Sequence, residues 1–150
     1  MVYEVWEGET LVSCDRSKLD VERVHAFLTN AYWSEGVSRE TIDRGIENSI
    51  PFGLYLEGEQ VGFARVISDR ASYAYLADVY IEEPHRGKGL SKLLMRAVMA
   101  HPELQGLRRW ILGTRDAHGL YRQFGFTEMQ RPERWMEKAA QGLYQNEGGG

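Results

Sequence analysis

The sequence predicts a mixed α/β fold, of the α+β kind, built on a mostly antiparallel sheet and flanked by about four helices. Three observations carry this. Apolar runs of strand length follow one another through the middle of the chain, at 52–56, 61–67 and 73–81, with only short polar turns between them. Residues at helical spacing lie on either side of these runs: Val21, Val24, Phe27, Leu28 and Ala31 before them, and Leu90, Leu93, Leu94, Ala97 and Val98 after them. The strand–helix–strand unit from Tyr73 to Leu112 is long enough for a right-handed crossover, which makes its two strands a parallel pair.

Taken in order, Tyr3 to Cys14 reads as one strand or a hairpin broken near Glu7-Gly8. Asp20 to Asn30 is the first helix. Ser38 supplies a capping hydroxyl for a second, running to about Glu47. Between them lies an aromatic loop, Ala31-Tyr32-Trp33-Ser34-Glu35-Gly36. Glu57-Gly58-Glu59-Gln60 is a tight hairpin turn and Ser68-Asp69-Arg70-Ala71 another. Leu90 to Ala100 is a third helix, Arg108 to Leu112 a short strand and Asp116 to Gln123 a short helix. Phe126 to Met129 and Arg134 to Glu137 are expected to close the sheet as a strand pair around Arg131-Pro132.

The chain has 150 residues, 43% of them hydrophobic, enough for one domain with a real core. That domain is expected over residues 1–146, with Glu147-Gly148-Gly149-Gly150 a flexible tail. The net charge of −4 is spread without a basic stripe, so no nucleic-acid partner is expected. No apolar run approaches membrane length, and the acidic, polar N-terminus is unlike a signal peptide. Cys14 is alone, which fits a reducing cytoplasm. His25, His85, His101 and His118 are scattered, so no metal site is expected.

The least generic stretch is Asp78 to Met95, where an apolar strand runs through Glu82-Glu83-Pro84 into Arg86-Gly87-Lys88-Gly89 and then a helix. A helix N-terminus has unpaired amide donors and a partial positive charge, which makes it an anion site. Glycines before it let the backbone approach an anion closely. Arg86 and Lys88 add positive charge, and Ser91 adds a hydroxyl in the first turn. A phosphate or pyrophosphate ligand is the natural reading; a plain strand-to-helix turn is the alternative. The dinucleotide fingerprint fails because Lys92 stands where its third glycine belongs, and Gly87 and Gly89 are too close together for a P-loop.

Leu76 to Ile81, Pro84 and Arg86-Gly87-Lys88-Gly89-Leu90-Ser91 together resemble the acetyl-CoA signature of the GNAT N-acetyltransferase superfamily: Arg or Gln, two residues, Gly, one residue, then Gly or Ala. Arg86 and Gly89 match, while Ser91 departs from the usual Gly or Ala. Ala117, Leu120-Tyr121 and Gly125-Phe126 resemble the late helix of the same family, with Thr114 in place of the asparagine often found before it. The resemblance implies a twisted sheet whose fourth and fifth strands, the parallel pair, splay apart around acetyl-CoA. It implies that the backbone of Val79, Tyr80 and Ile81 pairs with the pantetheine arm, and that amides from Gly87 through Lys88, Gly89, Leu90 and Ser91 to Lys92 hold the pyrophosphate. It implies direct attack by an amine on the thioester, so that Cys14 is not needed as a nucleophile. Family members are often dimers, which leaves a homodimer open.

A primary amine of pKa ~10.4 is almost wholly protonated at pH 7, and supplying its neutral form costs about 4–5 kcal/mol. A positioned base, typically worth about 10²–10⁴-fold, is therefore useful. By the resemblance Tyr121 is the acid at the thioester sulfur; by its stripe with Ala117, Leu120 and Phe124 it is also readable as a core tyrosine. Asp78, a charge in an apolar run, is either the base or ammonium anchor, or a buried aspartate paired with Arg65 or Arg70. Tyr32 and Trp33 are candidates for covering an amine by cation–π contact, or simply pack the helix pair. Asp69 and Tyr75, with Arg65 and Tyr73, are candidate walls of the acceptor pocket.

The function expected is therefore acetyl transfer from acetyl-CoA to a small-molecule amine. Transfer to a protein N-terminus or lysine, and a non-catalytic acyl-CoA-binding sensor, are the alternatives.

Overall fold

Gly8, at φ +59°, turns the first segment back on itself. In the computed structural model, which describes residues 2–144, that segment is a hairpin of β1 (Glu4–Glu7) and β2 (Thr10–Ser13). The helices α1 (Val21–Leu28) and α2 (Arg39–Glu47) follow. Each begins where a side chain satisfies a free amide: Asp20 accepts from the Arg23 N–H at 3.1 Å, and Ser38 Oγ from the Thr41 N–H at 3.2 Å. The guanidinium of Arg16 donates to the Ile46 carbonyl and, at 2.6 Å, to that of Ser49, closing the C-terminal end of α2.

The central strands are β3 (Ile50–Leu56), β4 (Glu59–Ser68) and β5 (Tyr73–Ile81). Beyond them come α3 (Leu90–Met99), β6 (Arg109–Ile111) and α4 (His118–Arg122). The six strands form one sheet in the order β1-β2-β3-β4-β5-β6, antiparallel throughout except for the parallel β5–β6 pair. Two apolar layers bury it. Leu93, Leu94, Ala97 and Val98 of α3 pack with Phe52, Leu54, Val61 and Val66. Val24 and Leu28 of α1 join Ile42 and Ile46 of α2 around Phe63 and Tyr80. Because both faces are covered, β3 is buried from Ile50 to Tyr55 and shows no polar alternation.

The expected closing pair, Phe126–Met129 with Arg134–Glu137, does not form. The segment carries only a one-turn 3₁₀ helix at Pro132–Arg134. Its residues Thr127 to Arg134 are exposed, so the segment presents no apolar face to bury, and Pro132 lacks an amide to donate. Two aromatic contacts hold it near β6: Trp110 against Phe126 at 6.3 Å, and the Arg109 guanidinium over Trp135 at 4.7 Å. The tail expected at 147–150 lies outside the described residues.

One packing constraint bears on the site. A Cβ at Gly62 would stand 2.9 Å from Ile81 Cδ1 and 3.1 Å from the Tyr80 carbonyl oxygen, on the far half of β5. Gly62→Ala is expected to lose about 1–3 kcal/mol through overpacking, seen as a fall of several degrees in melting temperature. An unchanged melting temperature would show that β5 yields freely at this point.

Candidate active site

The site begins with a break in the sheet. β6 pairs with β5 only from Tyr73 to Tyr75. Beyond that point β5 runs on to Ile81, whereas β6 ends and its continuation leaves through Leu112, Gly113 and Thr114 toward α4. The β5 edge is thus left open for the length of its second half. The opposite edge contains a β-bulge: Phe63 faces Tyr80 and Arg65 faces Ala77, so Ala64 alone opposes both Asp78 and Val79. Asp78 takes φ +56°, a left-handed conformation that costs most residues about 1 kcal/mol or more but suits the short polar side chain of Asp.

At the opening lies a cleft of about 400 Å³ whose polar wall includes Tyr32, Trp33, Arg65, Asp78, Asp116 and Tyr121. Asp78 is held from two sides. Arg65 Nε donates to Oδ2 at 2.6 Å, and Trp33 Nε1 donates to Oδ1 at 2.9 Å. Of the expected partners for Asp78, Arg65 is the one that pairs with it, and the residue also lines the cleft. A carboxylate offers about four lone-pair sites, so two hydrogen bonds leave it able to accept more. The Trp33 bond also fixes the aromatic loop between α1 and α2 to the bulge. Tyr32 packs edge-on against Trp33 at 5.1 Å, and the Arg115 guanidinium lies 4.0 Å above the Tyr32 ring.

Tyr121 comes into the cleft from α4. The chain is turned there by Thr114, whose Oγ1 accepts from the Ala117 N–H at 3.0 Å. The residue is largely buried, but its hydroxyl is not enclosed: it makes no hydrogen bond among the described residues and opens onto the cleft. Burial, with Tyr32 a lesser contributor, pushes the phenol up to about 12. The hydroxyl therefore stays protonated and is a donor without a competing protein acceptor.

Farther along β5 the chain reaches the glycine bend. Gly87 and Gly89 have φ +78° and +77°, and Gly89 is the N-cap of α3. A Cβ at either position would meet nothing within 4 Å, so the bend presents bare backbone to open space. No side chain caps α3 and no acid lies in its first turn, leaving the first amides free for an anion. Lys88 and Lys92 are exposed and have no carboxylate partner among the described residues. Ser91 stands in the first helical turn without distorting it, and its hydroxyl is unpaired among the described residues. Arg86 folds back, Nε donating to the Ile81 carbonyl at 2.8 Å, and so fixes the bend to the end of β5. From the other side, Arg23 of α1 grips Glu82 with two bonds of 2.6 and 2.7 Å. These residues suit a pyrophosphate group.

Other candidates sit elsewhere or do something different. Asp69 is not in the cleft wall. Its Oδ1 accepts from the amides of Ala71, Ser72 and Tyr73, and Ser72 Oγ donates to Oδ2, which builds the β4–β5 turn and holds its carboxyl well below the usual range. Tyr75 lines the cleft and is exposed. The side chain of Tyr80 is core, stacked on Phe27 at 3.8 Å, so only its backbone borders the opening. Cys14 is away from the cleft, and burial pushes its thiol up to about 12, far from a reactive thiolate. The described residues include no cluster able to hold a metal ion and no helix long and apolar enough to cross a membrane.

The bulge and the Arg115–Tyr32 contact were not expected from the sequence. An aspartate inside a strand, one of the few residues that tolerates positive φ, is the available signal for the bulge.

The profile of the Acetyltransferase (GNAT) family matches residues 19–126. A Gibberella zeae protein provisionally named as an acetyltransferase is 31% identical, over 76% of this chain and 76% of that protein. The spermine/spermidine N(1)-acetyltransferase of Bacillus subtilis is 34% identical, but over only 51% of this chain and 58% of that protein. A crystal structure from Xanthomonas campestris, assigned to the GNAT family, superposes with a TM-score of 0.89 at 48% identity, covering 93% of this chain and 99% of that one. The opened β5–β6 pair, the glycine bend before α3 and these relatives agree: the chain belongs to the GNAT acetyltransferase family and is an acyltransferase.

Proposed function

We propose that the protein is an N-acetyltransferase that moves the acetyl group of acetyl-CoA to a small-molecule amine by direct attack on the thioester. The observation that carries this reading is the alignment along β5 of a polar cleft containing Asp78 and Tyr121, an unpaired strand edge and a bare glycine bend. Acetyl-CoA supplies the activated acyl group.

The rest of the work falls to the chain. The amides from Gly87 to Lys92 hold the pyrophosphate, with Lys88 and Lys92 adding positive charge. The free edge of Val79, Tyr80 and Ile81 lies alongside pantetheine. Tyr121 donates its hydroxyl proton, as a hydrogen bond, to the departing sulfur. Asp78 accepts a hydrogen bond from the incoming amine through its remaining lone pairs and orients it. With Arg65 already on Asp78, its main contribution is positioning; the amine proton leaves through water. The name of the B. subtilis relative makes polyamines sensible first acceptors to try.

The test is a screen of amines, amino acids, polyamines, aminoglycosides and peptides with acetyl-CoA, following thiol release and product mass. At least one small amine is expected to gain 42 mass units, the replacement of one N–H by an acetyl group (roughly, by the stoichiometry of amine acylation). Transfer confined to peptides would favour a protein acceptor; thiol release with none of them would remove the transferase reading.

A further inference from the structure

The acceptor side of the cleft contains a residue from the far end of the chain. Tyr144 lines the cleft and packs against the cluster of Val24, Leu28, Ile42 and Ile46, where it is half-buried. The stretch that brings it there is loosely attached. Met136 to Leu143 is exposed at every position, and Met136 reaches 97% exposure. Its residues take part in no hydrogen bond or ion pair among the described residues. Gly142, at φ +66°, turns the chain just before Tyr144. Among the described residues the segment thus resembles a strap with Tyr144 as its one apolar anchor. Elements with so few contacts open at small free-energy cost.

The chemistry of the pocket indicates what else would fit there. Its deep wall is aliphatic, from α1 and α2. Its two carboxylates, Asp78 and Asp116, each already hold an arginine, Arg65 and Arg115. The charges balance, so the pocket has no surplus of negative charge to attract several ammonium groups. It offers hydrogen-bond acceptance at one point and apolar surface beyond it.

We propose that Tyr144 is a displaceable occupant of the acceptor pocket, and that the acceptor is an amine carried on an apolar or aromatic body whose ring takes the place of the tyrosine ring. This rests on the acetyltransferase reading of the same cleft. A docked strap lowers apparent acceptor affinity by the fraction of molecules left open. Removing the ring therefore tightens binding of a ring-bearing amine, and restoring a ring restores the competition.

The experiment compares the full-length protein with Tyr144→Ala, Tyr144→Phe and a chain ending at Glu137. Calorimetry with and without CoA, together with KM, is measured for 2-phenylethylamine and 1,4-diaminobutane. The expected result is a gain of about tenfold in affinity for 2-phenylethylamine in Tyr144→Ala and in the shortened chain, on the arithmetic of an occupied site. Tyr144→Phe stays near the parent value, and the diamine changes little. An unchanged or weakened affinity in both variants, an equal gain for the diamine, or failure of all four proteins to bind 2-phenylethylamine overturns the proposal. The acetyl-CoA melting shift, measured in parallel, separates the two levels. If the shift persists and the amine result fails, only this inference falls. If acetyl-CoA produces no shift, the transferase reading falls, while the calorimetry without CoA still reports on the pocket.

Discussion

Tyr121→Phe is expected to lower kcat by about 10²-fold, in the range of a lost general acid, while leaving the acetyl-CoA-induced melting shift intact. The substitution removes a single oxygen. Because the Tyr121 hydroxyl has no protein partner among the described residues, its loss orphans no buried group, and the stability change should stay within about 0.5 kcal/mol. The loss falls on the transition state, where the sulfur gains charge, and so lowers kcat and kcat/KM together. The raised phenol gives a second check. Burial favours the neutral form, so the hydroxyl remains a donor well above neutral pH, and activity should climb with pH as the acceptor amine deprotonates. Full turnover by Tyr121→Phe on a verified acceptor would return Tyr121 to the role of a core residue.

The second large effect is at Asp78. Asp78→Asn keeps a side chain that tolerates the left-handed bulge, but removes the charge opposite Arg65. The side chains of this pair are 21% and 12% exposed, so the guanidinium left behind is only partly able to recruit water. A loss of about 2–3 kcal/mol is expected, below the figure for a fully buried pair because some solvent reaches it. It should appear as a melting temperature lowered by several degrees. Turnover is expected to fall by about 10²-fold as the amine loses its orienting acceptor. Adding Arg65→Met separates the two effects. The double variant has no unpaired charge and should regain most of the stability, since residues in contact are strongly non-additive. Its turnover should remain low. Recovery of activity together with stability would make Asp78 a structural residue only.

How much of this was readable in the sequence differs by feature. The start of α2 was legible because a capping oxygen is a local, directional device: Ser38 caps it as expected, whereas Asp20, expected as the first residue of the first helix, is its cap. The bounds of β5 were legible from an apolar run between turn residues. Its bulge was not, because a two-against-one register is decided across strands and leaves no periodic trace in either. The same limitation explains the missing closing strands. The stretches 126–129 and 134–137 flank Arg131-Pro132 as two closing strands would, but Thr127 to Arg134 is exposed and buries no face. Asp69 was ambiguous for another reason. An aspartate in a turn can point to a ligand or to its own backbone, and here three amides and a hydroxyl claim it. Tyr144 gave no signal, since only the folded chain brings it beside α1 and α2.

The central claim is that the open edge of β5 and the bare bend before α3 form a seat for acetyl-CoA. Its most direct test is thermal unfolding with and without the nucleotide, for the parent chain and for Gly89→Glu, which puts a negative charge at the cradle. At 100 times its Kd, acetyl-CoA should stabilise the parent by about 2.7 kcal/mol, a rise of roughly 5–10 °C for a chain of this size. The variant should show little or none of that rise. No shift in the parent, or an equal shift in Gly89→Glu, would contradict the assignment of this seat.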